Sequence, residues 1–521
     1  MNVSKKPDLQ TGHPSIETGH VSNRTSDECR INEILDPCTI IIFGASGDLT
    51  ARKLIPALFN LYFTKSLPER YSIVGCSRTK ISAQEFRNKL RQAMPGNIPT
   101  AQWEQFAENL FYQSISYDSR DSYGRLATFL RELDRTRGTG GNRMFYLAIP
   151  PTLYPVVADN LGKAGLSDEN STDTGWSRIV VEKPFGRDLA TAIELDRTIH
   201  GSFQEHQVFR IDHYLAKETV QNILMLRFAN AIFEPIWNRS YIDFVGIIAA
   251  EELGVEHRAG YYEQAGVLRD MFQNHMKQLL ALTAMEPPSA FEADHVRDEK
   301  TKVFRSLKPF AVDSLQENLI LGQYAAGKIN GGDVPGYLEE PGIAPDSLTP
   351  TFAMMRLFVD NWRWRGVPFY LASGKRLQQK LTKIVVQFKE VPHSLFRNVL
   401  GEHIHANRLT LGVYPDEEIS LTFQTKAPGA RVCLRPVTMD FKYNQDHKGP
   451  LLEAYEKVLL DCILGDHMLF WRQDGVELAW SFLTPILEQC EQCEHPEKHL
   501  FQYPAGSWGP SQAEQWMKLI I

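Results

Sequence analysis

One segment, FGASGDLTARKLIPALFNLYF from Phe43 to Phe63, joins a strand pattern to a helix pattern through two glycines. The apolar run CTIIIF precedes Gly44, and the helical pattern begins after Gly47. A glycine directly after a buried strand lets the backbone turn sharply, and a second one lets a pyrophosphate approach the amides at a helix N-terminus. The turn therefore predicts a dinucleotide site that comprises Gly44, Ala45, Ser46, Gly47, Asp48 and Leu49. An ordinary strand-to-helix turn is the alternative, since two glycines alone are weak evidence.

The two halves of the chain have different secondary-structure patterns. In the first half, the apolar runs CTIIIF, YSIVGCS, RMFYLAI and SRIVVEKP alternate with amphipathic segments such as SAQEFRNKLRQAM. This alternation predicts a Rossmann-like, doubly wound α/β domain. In the second half, KIVVQFKEV, NRLTLGVYP, EEISLTFQTK and VTMDFKYN have period two, which predicts a large, mainly antiparallel sheet covered by helices on one face.

These patterns divide the chain into three regions. Residues 1–35 are polar and aperiodic and are predicted to form a disordered arm. Residues 36–212 are predicted to be the dinucleotide-binding domain. Residues 213–521 are predicted to bind the substrate and to form the oligomer.

Composition excludes several classes of protein. The net charge of -7 comes without a basic stripe, so nucleic-acid binding has little electrostatic support. No apolar run is long enough to span a bilayer. The seven cysteines are irregularly spaced, and the pair in CEQC has no second pair at zinc spacing, so neither a disulfide framework nor a metal site is predicted. We expect a cytoplasmic protein without a membrane partner.

The end of the second strand indicates the cofactor. NAD sites usually place an acid there, whereas NADP sites place Arg near the 2′-phosphate. The segment SIVGCSRTK ends with Arg78 and Lys80 and has no acid. This favours NADP, with NAD as a weaker substitute, although one Arg at a strand end is often only a solvated charge.

Two segments concentrate polar groups that could bind a substrate. In VVEKPFG, Lys183 follows a buried strand and precedes a proline, so its ammonium should project at the carboxyl edge of the sheet. Solvent exposure is the alternative. In FRIDHYLAKE, an acid, an imidazole, a phenol and an ammonium stand directly before a helical run, at Asp212, His213, Tyr214 and Lys217. A polar helix start would explain Asp212 alone but not the whole set.

A third segment, LRDMFQNHMKQLL, contains a histidine on an apolar stripe. On an α-helix His275 falls with Leu268, Met271, Phe272 and Leu279, so it is predicted to be buried. A core histidine with satisfied hydrogen bonds is the ordinary alternative. A carboxylate partner would raise the pKa of the imidazole and make it a better base, and Asp212 is a candidate for that partner.

In combination these motifs resemble the glucose-6-phosphate dehydrogenase family. GASGDL, RKLIPALFNL, EKPFG, RIDHYLAKE and RDMFQNHMKQLL occur in the family's order and spacing, and the resemblance runs from about Cys38 to YPAGSWGP near the C-terminus. It implies oxidation of D-glucose 6-phosphate at C1 to 6-phospho-D-glucono-1,5-lactone, with hydride transfer to NADP. This reaction is the first step of the oxidative pentose phosphate pathway.

The resemblance also implies residue roles. The base falls on His275 and its carboxylate partner on Asp212. Phosphate contacts fall on His213, Tyr214, Lys217 and Lys375. Contacts to the sugar hydroxyls fall on Lys183, Glu251 and Asp270. Cofactor contacts fall on Gly44 to Gly47, on Arg78 at the 2′-phosphate, and on Lys183.

The chain departs from the family pattern at three positions. Ala216 replaces the usual Gly of the DHYLGKE motif, so its backbone conformation must be one that Ala accepts. Lys380 is predicted to bind the substrate where some members use Arg, which puts a bidentate contact in doubt. Thr50 replaces a frequent Ala, and we expect it to be exposed.

Two other functions and the oligomeric state stay open at this point. Another NADP-linked sugar oxidoreductase would lack the phosphate-binding set. A non-catalytic dinucleotide-binding assembly protein would be expected to lose His275 or Asp212, and this chain keeps both. Large sheets commonly pair face to face, so a homodimer or a homotetramer is expected.

Overall fold

The computed structural model describes residues 35–94, 96, 98–169, 175–311, 315–393, 395, 404–429, 433–442, 452–493 and 495–521. The predicted N-terminal arm lies outside the described residues, apart from Leu35.

The first half of the chain forms a six-stranded parallel sheet, as its continuous apolar runs predict. The strands are β1 Cys38–Phe43, β2 Tyr71–Ser77, β3 Leu110–Ser114, β4 Arg143–Leu147, β5 Ser177–Val181 and β6 Val208–Arg210. Their order in the sheet is β3-β2-β1-β4-β5-β6, and every neighbouring pair is parallel. The order reverses between β1 and β4, and ligands of open α/β sheets bind outside the carboxyl ends of the strands at such a switch point.

Helices cover both faces of this sheet. They are α1 Ile55–Phe63, α2 Ala83–Ala93, α3 Thr100–Ala107, α4 Arg120–Arg137, α5 Tyr154–Lys163 and α6 Leu189–His200. Ile40 and Ile42 belong to the core with Leu58 of α1. Ile41 belongs to the core with Leu126 of α4. Alternate side chains of β1 are therefore buried on opposite faces, which confirms the doubly wound fold.

The second half of the chain forms a nine-stranded sheet. Its strands are β7 Ile242–Ala250, β8 Leu319–Ala325, β11 Phe352–Phe358, β12 Pro368–Gly374, β13 Leu381–Phe388, β14 Arg408–Tyr414, β15 Glu418–Lys426, β16 Leu434–Lys442 and β17 Leu500–Pro504, while β9 Gly327–Ile329 and β10 Gly332–Val334 form a separate ribbon. The order is β16-β15-β14-β13-β7-β12-β11-β8-β17. The pairs β12–β7 and β17–β8 are parallel and the others are antiparallel, so the sheet is mainly antiparallel, as predicted.

Some helices of the second half pack on one face of this sheet, and others pack against the first sheet or against other helices. The helices are α7 Glu218–Phe228, α8 Ala259–Val267, α9 Lys277–Ala284, α10 Ala293–Arg305, α11 Leu315–Asn318, α12 Ala454–Leu464, α13 Gln473–Glu491 and α14 Glu514–Ile520. Val245 and Ile247 of β7 share a core with Leu279 of α9. The C-terminal helix α14 is an exception to the expected one-sided cover, because Ile520 packs against Gly246, which faces the opposite way from Val245 and Ile247.

Two segments are π-helical. One, Thr50–Leu54, follows the glycine turn, and the other, Leu268–Met276, contains Asp270 and His275. The apolar spacing predicts an ordinary α-helix through the second segment, and the structure differs there. Gly266, with φ 55° and ψ 179°, kinks the end of α8 shortly before it. Such wide turns frequently occur at functional sites, and His275 is buried in this one, as predicted.

Short 3₁₀-helices complete the described elements. They are Pro151–Leu153, Glu205–Gln207, Glu234–Ile236, Glu256–Arg258, Tyr337–Glu339, Pro496–Lys498 and Ser511–Ala513.

Candidate active site

The glycine turn lies at the switch point of the first sheet. Gly44 has φ 85°, and a Cβ atom there would lie 2.0 Å from the carbonyl oxygen of Ala148, which follows β4. Only glycine fits this position. At Gly47 a Cβ atom would lie 3.1 Å from the carbonyl oxygen of Gly44, so a side chain would also be crowded there. The turn therefore presents bare backbone at the place where a pyrophosphate would approach.

The other residues of the predicted turn differ in exposure. Ala45 is buried, Leu49 is half-buried, and Ser46 and Asp48 are exposed. Asp48 forms an exposed ion pair with Arg52, with 2.6 Å between the two groups. Ser46 and the backbone thus remain accessible to a ligand, while Ala45 anchors the turn in the core.

Two residues outside the predicted turn hold Gly44. Thr50 is fully buried, and its hydroxyl donates to the carbonyl oxygen of Gly44 at 3.1 Å. The expectation that Thr50 is exposed is wrong, because the π-helical turn points this side chain back at Gly44. The amide of Gly44 donates to the hydroxyl of Tyr117 at 3.1 Å. Tyr117 lies 73 residues away, so no local sequence pattern indicates this contact.

Arg78 stands beside the same turn. It is exposed, it follows β2, and its guanidinium lies 5.8 Å from the ring centre of Tyr117. Because Tyr117 also binds Gly44, the three residues form one group at the carboxyl end of the sheet. A guanidinium at this position suits a 2′-phosphate, and the bare backbone of the turn suits the pyrophosphate of the same cofactor. The residues present therefore fit NADP.

A buried imidazole and carboxylate form the centre of the candidate site. His275 is 1% exposed and Asp212 is 2% exposed. His275 Nδ1 donates to Asp212 Oδ1 at 2.6 Å, and the amide of Tyr214 donates to the same oxygen at 2.9 Å. The ammonium of Lys183 donates to His275 Nε2 at 2.8 Å. With its proton on Nδ1, the ring keeps a basic lone pair on Nε2.

Burial and charge set the protonation of this pair. Burial, helped by the Lys183 ammonium, lowers the pKa of His275 below its usual 6.5, although Asp212 acts in the opposite direction. Asp212 therefore acts to raise the pKa of His275, as expected of a carboxylate partner, but full burial outweighs it. For Asp212, burial acts to raise the pKa, but His275, His213 and the Tyr214 amide bring it down to about 2. The resting pair is thus a neutral imidazole and a carboxylate.

Lys183 connects this pair to a second carboxylate. Its ammonium lies 3.1 Å from Asp270 Oδ1 and 3.1 Å from the Asp270 carbonyl oxygen. The hydroxyl of Tyr261 also donates to Asp270 Oδ1, at 3.1 Å. Burial acts to raise the pKa of Asp270, but Lys183, Lys375 and Arg258 hold it below its usual range. Sequence reasoning missed Tyr261, which no motif distinguishes from other tyrosines.

Lys375 and Glu251 form a further pair near Asp270. The ammonium of Lys375 donates to Glu251 Oε2 at 2.5 Å, and it lies 5.1 Å from the ring centre of Tyr262. Lys375 is 7% exposed and its charge acts on Asp270. The structure therefore brings Lys375 together with the groups that the resemblance assigns to sugar hydroxyls, and its role as a phosphate contact stays a prediction.

Two aromatic rings lie between His275 and the ammonium of Lys217 or beside them. The Tyr214 ring stacks on the His275 ring with 4.2 Å between centroids, and the His213 ring lies 4.7 Å from the His275 ring. The ammonium of Lys217 lies 4.4 Å from the centre of the Tyr214 ring. Burial and the charge of Lys183 and protonated His275 lower the pKa of His213 well below 6.5.

Two ammonium groups flank Tyr414. Those of Lys380 and Lys217 lie 4.3 Å and 5.9 Å from its ring centre. Burial and then repulsion by Lys380 lower the pKa of Lys217, against the attraction of Glu417. Two adjacent cations suit a doubly charged anion.

The backbone at Ala216 has an ordinary conformation. Ala216 is buried and lies outside the left-handed backbone region, and Lys217 follows with φ -73° as the residue before α7. An alanine is therefore accepted at this position without strain.

One cluster outside the site has the residue types of a metal site. Asp196, His200 and Glu205 lie close together, but Arg210 binds both acids, at 2.5 Å and 2.9 Å. Hydrogen bonds to Asp196 and Glu205 raise the pKa of His200 to about 10. The cluster is thus an ion-pair network around Arg210. Cys490 and Cys493 of the CEQC segment are free thiols.

The glycine turn and the end of β5, where Lys183 meets His275 Nε2, lie at the same carboxyl edge of one sheet. A bound nicotinamide cofactor and a basic nitrogen can therefore act on one substrate, which defines the class of nicotinamide-dependent oxidoreductases. Two family models match the chain: the NAD binding domain of glucose-6-phosphate dehydrogenase over residues 41–222, and its C-terminal domain over residues 224–519. The chain belongs to the glucose-6-phosphate dehydrogenase family.

Curated relatives agree with this assignment over nearly the whole chain. The chain is 47% identical over 480 residues to glucose-6-phosphate 1-dehydrogenase of Aggregatibacter actinomycetemcomitans, covering 92% of this chain and 95% of the relative. It is 42% identical over 475 residues to that of Bacillus subtilis, covering 91% and 95%.

A solved structure agrees as well. The structure of a glucose-6-phosphate dehydrogenase in complex with its substrate glucose 6-phosphate superposes with a TM-score of 0.85 at 34% identity, covering 93% of this chain and 98% of that chain. The predicted two-part fold and the family resemblance are therefore confirmed.

Proposed function

We propose that this protein oxidises D-glucose 6-phosphate at C1 to 6-phospho-D-glucono-1,5-lactone, with hydride transfer to NADP, as the first step of the oxidative pentose phosphate pathway. The observation that carries the proposal is the arrangement around His275. Its ring stacks on Tyr214, the ammonium of Lys217 lies 4.4 Å from the Tyr214 ring centre, and the ammonium groups of Lys217 and Lys380 flank Tyr414. A base and a cationic site so arranged match a phosphorylated sugar with an oxidisable hydroxyl.

The C1 hydroxyl must lose its proton as hydride leaves C1. His275 Nε2 accepts that proton, and Asp212 stabilises the imidazolium that forms. In the free enzyme the Lys183 ammonium donates to Nε2 and so occupies the direction from which a substrate hydroxyl would donate. NADP, when bound, supplies the hydride acceptor.

The remaining polar groups orient the substrate. Asp270, Glu251 and Lys183 offer mixed donors and acceptors, which hydroxyl groups require. His213 and Tyr214 offer donors, and Lys217, Lys375 and Lys380 offer positive charge, which a phosphate requires. Contacts at both ends of the hexose hold C1 at His275, and such positioning lowers the barrier to reaction.

The direct test mixes purified protein with glucose 6-phosphate and NADP and follows the absorbance of the reduced nicotinamide. Free glucose in place of glucose 6-phosphate should give little signal. An equal signal with free glucose would favour another NADP-linked sugar oxidoreductase. Folded protein that gives no signal with either sugar would refute the proposal in favour of a non-catalytic dinucleotide-binding protein.

Arg78→Ala is expected to raise the KM for NADP and to leave the KM for NAD nearly unchanged. Charge-assisted hydrogen bonds of a guanidinium to a phosphate contribute about 1.5–3 kcal/mol, and only NADP has a 2′-phosphate. NAD is accordingly a weaker substitute in the wild type. Both KM values are measured for the wild type, Arg78→Ala and the control Lys80→Ala, which removes a neighbouring exposed charge. Equal losses with both cofactors would make Arg78 a structural residue.

We propose further that the large sheet pairs two copies of the chain, as a homodimer or as a homotetramer of two such dimers. The hairpin β15–β16 carries an apolar ladder of three cross-strand pairs, Ile419–Phe441, Leu421–Met439 and Phe423–Val437. Met439 is 61% exposed and Phe441 is 59% exposed. Exposed apolar surface of this kind supports an interface between protein chains.

The double substitution Met439→Lys with Phe441→Lys is therefore expected to lower the oligomeric state, because it places charge in the middle of the apolar ladder. Light scattering coupled to size-exclusion chromatography measures the mass. Asp440→Lys is the control, since it changes the charge on the opposite face of the same strand. A wild-type monomer, or a double variant with unchanged mass, would contradict the interface.

The domain division and the location also belong to this proposal. The strands of the first sheet lie between Cys38 and Arg210, which supports a dinucleotide-binding domain of residues 36–212 and a substrate-binding and oligomerisation domain of residues 213–521. Among the described helices, none is both long and apolar enough to cross a membrane. The free thiols suit a reducing compartment, and we place the enzyme in the cytoplasm.

A further inference from the structure

Three tyrosines from three different elements hold Glu182, the residue before Lys183. The Tyr146 hydroxyl on β4 donates to Glu182 Oε1 at 2.6 Å. The Tyr154 hydroxyl at the start of α5 donates to the Glu182 carbonyl oxygen at 3.1 Å. The phenol of Tyr455, near the start of α12, also lies close to this carboxyl group and acts to lower its pKa. Both the side chain and the backbone of Glu182 are thus fixed.

The helix α12 lies alongside β5 and is tied to it at both ends. Arg178, near the start of β5, donates to the carbonyl oxygens of Cys462 and Ile463 at the end of α12, at 2.7 Å and 2.5 Å. Glu182, just beyond the end of β5, meets Tyr455 at the start of α12. The helix therefore runs antiparallel to β5 and spans its whole length, although about 280 residues separate the two in the chain.

The Glu182 carboxyl group depends on these partners. Burial raises its pKa, while the hydrogen bond from Tyr146, the neighbouring Tyr455 phenol and the nearby charge of Lys183 act to lower it. A buried carboxylate that loses a donor is left with an uncompensated loss of hydration. Removing the Tyr455 hydroxyl should therefore loosen Glu182 where it joins Lys183.

The ammonium of Lys183 contacts several groups of the site at once, so its position must be closely maintained. From the end of β5 its ammonium reaches His275 Nε2 at 2.8 Å and two oxygens of Asp270 at 3.1 Å. Small displacements of groups that orient a substrate lower rates strongly, and a displacement of about 1 Å can cost about a hundredfold. A fixed residue directly before Lys183 limits such displacement.

We propose that Glu182 and Tyr455 are positioning residues for Lys183. Helix α12 of the second domain would thereby hold Lys183, a residue of the reaction centre that belongs to the first domain. The proposal rests on the proposed function, because it assigns Lys183 to the reacting sugar. Neither Glu182 nor Tyr455 contacts the reacting atoms in this scheme. They act by fixing the backbone from which Lys183 extends.

A double-mutant cycle with Lys183 tests the proposal. Tyr455→Phe is expected to lower kcat for glucose 6-phosphate oxidation about tenfold, and Glu182→Ala about a hundredfold. In a Lys183→Met background, each substitution should lower kcat by less than about twofold further, since the residue through which Glu182 and Tyr455 act is already lost. Glu182→Gln keeps an acceptor for Tyr146 and should recover part of the loss caused by Glu182→Ala.

A purely structural role predicts a different result. In that case Tyr455→Phe would lower the melting temperature of the protein, and it would lower kcat by the same factor in the Lys183→Met background as in the wild type. Tyr62→Phe is the control, because it removes a hydroxyl that donates to Gln105 at 3.1 Å, outside the candidate site. It should keep the wild-type kcat.

Calorimetry separates this inference from the proposed function. The same four variants are compared by their dissociation constants for glucose 6-phosphate without cofactor. An inactive wild type would refute the proposed function, and the binding data would still measure the coupling between Tyr455 and Lys183. Equal effects of Tyr455→Phe with and without Lys183, in both kcat and binding, would overturn the inference. A loss that disappears in the Lys183→Met background supports it.

Discussion

Replacing His275 by Asn is expected to lower kcat for glucose 6-phosphate oxidation by about 10²–10⁴-fold, while binding of the sugar phosphate survives. An amide can still fill the space and accept a hydrogen bond from Lys183, but it cannot take the proton of the C1 hydroxyl. Steady-state kinetics give kcat, and calorimetry gives the dissociation constant of glucose 6-phosphate. His206→Asn, at an exposed histidine, is the matched control and should behave as wild type.

The pH dependence follows from the protonation of the same ring. The base must be neutral to accept a proton, and burial and Lys183 lower the pKa of His275. Activity should therefore fall on acidification only below the ordinary histidine value of 6.5. Asp212 acts to raise this pKa, so Asp212→Asn should lower kcat and also move the acid limb to still lower pH. A normal kcat and an unchanged acid limb in His275→Asn would place the base on another residue.

Most of the fold could be predicted from the sequence, because local residue patterns determine its strands and helices. Each strand of the parallel sheet is buried on both faces and so reads as a continuous apolar run, as in CTIIIF of β1. Contacts between distant segments left no such pattern. The parallel pairing of β12 with β7 and the seating of α12 along β5 depend on residues more than a hundred positions apart, so no local pattern could reveal them.

The site was predicted unevenly for the same reason. Asp212 was a candidate partner in advance, because a buried imidazole needs a partner for each ring nitrogen, and the family resemblance assigned the pair. The direction of the pKa shift of His275 could not be predicted, because it depends on complete burial and on the position of Lys183. Thr50 was expected to be exposed because it replaces a frequent Ala, whereas a π-helical turn directs its hydroxyl to Gly44.

The phosphate end of the site supplies the second large effect. Lys217→Ala is expected to lower kcat/KM for glucose 6-phosphate by about 10–100-fold and to leave any residual reaction with free glucose nearly unchanged. An ammonium directed at the phosphate contributes only when that group is present. Lys302→Ala, which removes an exposed ammonium paired with Glu299, is the control.

Lys217 should also set a basic limit to the use of glucose 6-phosphate. Burial and repulsion by Lys380 lower the pKa of Lys217 below its usual 10.5, and only the protonated form attracts a phosphate dianion. The KM for glucose 6-phosphate should therefore begin to rise at a lower pH than an ordinary lysine would cause. Lys380→Ala removes the repulsion, so this rise should move to higher pH even though binding itself weakens. The KM is measured from pH 7 to 10.5 for the wild type, Lys217→Ala and Lys380→Ala. If Lys217→Ala impaired the reactions of glucose and glucose 6-phosphate equally, Lys217 would be required for folding or for the sugar ring, and the phosphate would have to bind elsewhere.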